Sequence, residues 1–78
     1  MAIETVGKYQ LHLVAYQLPE NGQWAPYLMI HKFDDGSDSF QCVLDRHRVA
    51  GDRVFATYEE AIEAARHAGN AVLEAGTV

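Results

Sequence analysis

Four histidines and one cysteine are the side chains in this sequence best suited to holding a metal or carrying a reaction. His12, His31 and His47 fall on three stretches that read as strands, His67 falls on a helix, and Cys42 sits between Phe40 and Leu44. If the turns set the strand register, His31 and Cys42 lie near each other, and His12, His31 and Cys42 could together approach a zinc or copper ion. Metal sites usually announce themselves through close pairs such as C-x-x-C or H-x-x-x-H. Here each histidine stands on its own element, so scattered, half-exposed imidazoles are expected, with no metal and no cofactor. A Cys/His hydrolase would need Cys42 as an accessible thiolate beside its base. Alternation with Phe40 and Leu44 instead predicts a buried structural thiol, and no catalytic residue is nominated.

Two further clusters carry charge. Asp34, Asp35 and Asp38 surround Gly36, but the spacing fails the EF-hand pattern and no glutamate closes a twelve-residue loop. Ordinary turn chemistry is expected there. Arg46, His47, Arg48 and Arg53 form the basic cluster. Without a glycine-rich loop or interleaved aromatics the phosphate reading is weak, and a solvated or partner-facing patch is expected, with Arg46, Arg48 and Arg53 the candidates for an anion or an acidic partner.

The elements that must position these residues belong to a chain of 78 residues, which is one domain spanning 1–78. Hydrophobic residues make up 49%, enough for one sheet and one helix. Eleven acids against six bases give a net charge of −5, which speaks against nucleic acid and against an anionic membrane. One cysteine allows no internal disulfide, no leader is visible, and no apolar run approaches the roughly 18 residues of a membrane span. A cytosolic setting is expected.

Period-two alternation predicts strands at about 8–18, 24–33 and 39–49. Pro19-Glu20-Asn21-Gly22 and Asp34-Asp35-Gly36-Ser37-Asp38 are the turns between them. Thr57 with Glu60 forms a capping box, and apolar residues at helical spacing from Tyr58 to Ala75 predict a helix over 58–75 that Gly76 ends. The expected fold is α+β: a three-stranded antiparallel meander with one C-terminal amphipathic helix on one face.

This arrangement leaves a mismatch. The second strand is apolar on both sides, and one helix can cover one face of a sheet. With the helix on the Leu11, Leu13, Phe40, Cys42 and Leu44 side, a patch of Val14, Tyr16, Trp24, Tyr27, Met29, Phe33 and Val43 is expected to stay open, larger than a monomer normally exposes. The expectation is a protein–protein interaction module, self-associating as a homodimer or meeting one protein partner. The alternative is small-ligand binding on the aromatic surface of Trp24, Tyr16 and Tyr27.

The element order, together with the segment Gly51–Ala65 and its Thr57-x-x-Glu60-Ala61 helix start, resembles the HicB-like antitoxin domains. Those share a β-β-β-α arrangement related to the double-stranded-RNA-binding fold. The resemblance covers the topology and about fifteen residues, and it implies a toxin-neutralising role. The proline- and glycine-containing segment of such domains is replaced here by Asp45–Ala50. The RNA-binding activity does not carry over, because the first helix and the basic helix end that grip phosphates are missing.

Overall fold

The computed structural model describes all 78 residues. Four strands, β1 (Ala2–Val6), β2 (Tyr9–Gln17), β3 (Trp24–Asp34) and β4 (Ser39–Arg48), precede one helix, α1 (Tyr58–Ala75). The strands form one antiparallel sheet in chain order. The α+β architecture matches expectation, with a sheet one strand wider than predicted.

That extra strand is β1. Its alternation is short, and one of its inward positions is polar: Glu4 pairs with Leu11 across the strands and takes an ion pair from Arg66 of α1. Val6 and Tyr9 pair directly, so Gly7 and Lys8 alone make the turn, with Gly7 at φ 60°. Such two-residue reversals need positive φ, which glycine adopts without steric cost.

The core lies between α1 and the central strands. Leu11 pairs with Ile30 and Leu13 with Leu28, and all four are fully buried. Each contributes about 1.5–3 kcal/mol by leaving water. From α1 the buried residues are Ala61, Ile62, Ala65 and Gly69. This stripe of small residues brings the helix close to the sheet. A Cβ built on Gly69 would stand 3.1 Å from Leu11 Cδ1 and 3.2 Å from Leu28 Cδ1. Ala75, expected on this stripe, is exposed.

Thr57 caps α1 as expected: its Oγ1 accepts from the Glu60 N–H at 3.1 Å. The return half differs, because the Glu60 carboxylate accepts from the Thr57 hydroxyl at 3.2 Å. Thr57→Ala is expected to cost about 1 kcal/mol, lowering the melting temperature by roughly 4–8 °C in a domain of this size, as a thermal melt would show. Gly76, at φ 69°, closes the helix by donating to the Leu73 carbonyl.

The third predicted strand departs from simple alternation. Two register shifts interrupt the β3–β4 ladder, between Leu28 and Ile30 and between Ile30 and His31. Leu44 therefore pairs with Ile30 on the core side, whereas Cys42 and Phe40 pair with His31 and Phe33 on the other. Phe40, Cys42 and Leu44 do not share a face, and Cys42 is exposed rather than buried.

Candidate functional site

The face of the sheet opposite α1 is covered by no other element. Cross-strand pairing places Ile3 with His12, His12 with Met29, Val14 with Tyr27, Gln10 with His31, His31 with Cys42, and Phe33 with Phe40 on this side. Val14, Tyr27, Met29 and Phe33 are half-buried by one another, while Ile3 is 52% exposed and Tyr16 and Phe40 are each 42% exposed. Two edge-to-face aromatic pairs rigidify the surface. Tyr16 meets Tyr27 at 5.0 Å between ring centres, and Phe33 meets Phe40 at 5.3 Å.

Of the residues expected here, Val14, Tyr16, Tyr27, Met29 and Phe33 are brought together. Trp24 is not. Alternation along β3 puts it with Leu28 and Ile30 on the helix side, where its ring packs edge-on against Tyr58 at 5.5 Å. The shared aromatic pocket of Trp24, Tyr16 and Tyr27 is thereby lost. Val43 is the extra residue of a bulge and is 37% exposed at the sheet margin. Ile3 and Phe40 join the face unexpectedly. The β-branched Ile3, Thr5 and Val6 just before Gly7 are the available signal for Ile3, whereas the bulge that turns Phe40 has no comparable sequence mark.

His12 and His31 occupy the middle of this surface, their rings 4.5 Å apart and tilted by 52°. The His12 imidazole is held below its usual pKa, first by burial and then by repulsion from His31. Its Nε2 is buried without a hydrogen-bond partner, which suits a neutral ring. Cys42, across from His31, donates its S–H to Asp45 Oδ1 at 3.3 Å. That bond raises the thiol pKa, and a protonated thiol is a weak nucleophile. No three of the His, Cys, Asp and Glu side chains are grouped so as to hold a metal ion.

The basic patch is broken up. Arg46 donates to the Tyr16 hydroxyl at one end of the open face. Arg48 reaches the carbonyls of Asp52 and Arg53 at 3.3 and 3.4 Å and so holds the turn that follows β4. Arg53 lies over the Phe55 ring at 5.1 Å, toward the helix side. At the far end of the sheet, the Asp34 carboxylate accepts from Gly36 N–H and Ser37 Oγ, and Asp35 pairs with Lys8.

The largest concavity, an open groove of about 730 Å³, runs between α1 and residues 50–55, floored by Phe55, Ala64 and Ala68. Its rim carboxylates are largely engaged: Glu60 with Thr57 and Glu63 with Arg66. No helix is long and apolar enough to cross a membrane. No family model, curated protein or solved structure matches the chain.

Proposed function

We propose that this protein works by self-association, two copies packing sheet against sheet through the uncovered face. The observation that carries the reading is that face itself: Ile3, Val14, Tyr16, Tyr27, Met29, Phe33 and Phe40 form one apolar surface with no element across it. Tyrosine, phenylalanine and methionine are favoured at interface cores. Four strands about 4.8 Å apart and some nine residues long give a flat footprint of roughly 19 by 30 Å. That is the small end of specific interfaces, and a dissociation constant in the micromolar range is expected.

Charge selects a second copy as the occupant. Arg48 pairs with Tyr27 and the Arg46 guanidinium reaches the Tyr16 hydroxyl, which makes that half of the face basic, while Asp34, Asp35 and Asp38, against the one charge of Lys8 paired to Asp35, form the β3–β4 turn at the other end. A two-fold axis lying between the sheets and across the strands sets the basic end of each copy on the acidic end of its partner. An axis along the strands would oppose like charges. Pairing through the edges is disfavoured, since β1 has only five residues and β4 is bulged twice.

Sedimentation from about 1 μM to about 1 mM tests the reading. The mass is expected to climb toward that of a dimer across this range. A monomer at every concentration would sink it and would favour a different protein on the same face, as the toxin-neutralising resemblance implies.

A further inference from the structure

We propose that the His12–His31 pair makes this self-association proton-sensitive, with dimers at neutral pH giving way to folded monomers on mild acidification. The inference rests on the face-to-face reading and concerns the control of that same surface. Its basis is position. The two rings lie 4.5 Å apart on the central strands. β3 runs from Trp24 to Asp34, so the middle of the face along the strands falls at Met29, which pairs with His12 and stands two residues from His31. A two-fold axis across the strands that overlaps the two faces fully crosses at that level. It therefore brings two histidine pairs, one from each copy, toward the dry centre of the interface.

The surroundings offer a protonated imidazole little compensation. From β1 the facing residues are Ile3 and Thr5, which carry no charge, while Glu4 turns to the helix side and bonds Arg66. From β2 the titratable neighbour is Tyr16, and from β3 it is Tyr27 beside His31 itself. From β4 come Cys42, Asp45, Arg46 and Arg48; the Asp45 carboxylate already accepts from Cys42, and both arginines are positive. α1 lies across the sheet and contributes nothing to this side. A positive charge here meets apolar groups, a second imidazole and two guanidinium groups, against the single carboxylate of Asp45.

The sign follows from what is already seen in one copy. Burial and His31 hold His12 below its ordinary value, so the folded chain binds fewer protons than an exposed histidine would below the usual range near 6.5. Association removes the remaining water and must lower proton binding further, because desolvation penalises the charged form. The dimer then excludes protons that the monomer accepts, and acid favours the monomer. If each copy excludes one proton, the dissociation constant rises up to about a hundredfold per pH unit in this window.

The experiment measures dimer dissociation by sedimentation equilibrium at about pH 7.5 and about pH 5.5, with a chelator present and far-UV circular dichroism recorded in parallel. The expected result is at least a tenfold weaker dimer at the lower pH with ellipticity retained. That shift should be much reduced in the His12→Gln, His31→Gln double variant, or in His12→Gln alone should the double variant not fold. A wild-type dissociation constant unchanged between the two pH values overturns the inference while leaving the dimer intact. So does a variant whose shift equals that of the wild type, or dissociation that coincides with loss of ellipticity. A monomer already at pH 7.5 overturns this inference and the face-to-face reading together.

Discussion

Met29→Arg is expected to yield a folded monomer whose dimer dissociation constant is at least about a hundredfold weaker than that of the wild type. Met29 is half-buried, directly across from His12, in the middle of the open face. In one copy, an arginine there can bend its guanidinium to water and keep its stem on the sheet. Fold stability should therefore change by no more than about 1 kcal/mol, typical of a surface position. In the proposed dimer the two-fold would double the insult. Two guanidinium groups are driven toward each other in a desolvated centre, and like-charge juxtaposition of that kind costs several kcal/mol. Sedimentation reads the association and thermal melting reads the fold. A variant that dimerises as tightly as wild type would exclude this face as the contact.

The second large effect belongs to the opposite side of the sheet. Gly69→Leu is expected to remove about 3 kcal/mol or more, much of what a domain this small possesses. No space exists for the new side chain, since even a Cβ would meet Leu11 Cδ1 at 3.1 Å and Leu28 Cδ1 at 3.2 Å. Both leucines are fully buried and cannot swing into solvent. Gly69→Ala is the informative control. Its helix propensity gains about 1 kcal/mol, but the same contacts oppose that gain, so its net effect should stay within about 1 kcal/mol. Urea titrations of the three chains give the comparison. A leucine variant as stable as wild type would mean that the helix does not lie this close to the strands.

These two sites also show how far the sequence could be read. The helix was legible almost residue by residue because its signals are local: a threonine cap, a stripe at 3.6-residue spacing and a stopping glycine. Gly69 was not expected on that stripe. Its role depends on which leucines stand beneath it, which is a tertiary fact. The open face was legible in outline, since β2 and β3 alternate cleanly and Tyr16, Tyr27 and Met29 fall where alternation puts them. Trp24 was assigned by aromatic character against its own alternation, and alternation prevailed. β4 departs from its alternation for a different reason. An extra residue costs no hydrophobicity but reverses every side chain beyond it. Phe40 and Cys42 thereby moved to the outer surface. β1 escaped because a five-residue edge strand with an inward Glu4 supplies little apolar pattern, and the Arg66 that makes Glu4 tolerable lies 62 positions away.

The strands neighbour one another in the order in which they occur along the chain. Every ladder therefore zips from a short reversal, and little loop entropy opposes the assembly of the β-layer. Only α1 must return from afar, so docking it becomes the late step of a reaction on the order of milliseconds. Until then the nascent layer shows grease on both sides. Encounters between newly made chains in that brief interval would compete with the helix for Leu11 and Leu28, and crowded synthesis is where this small protein is most exposed to going astray.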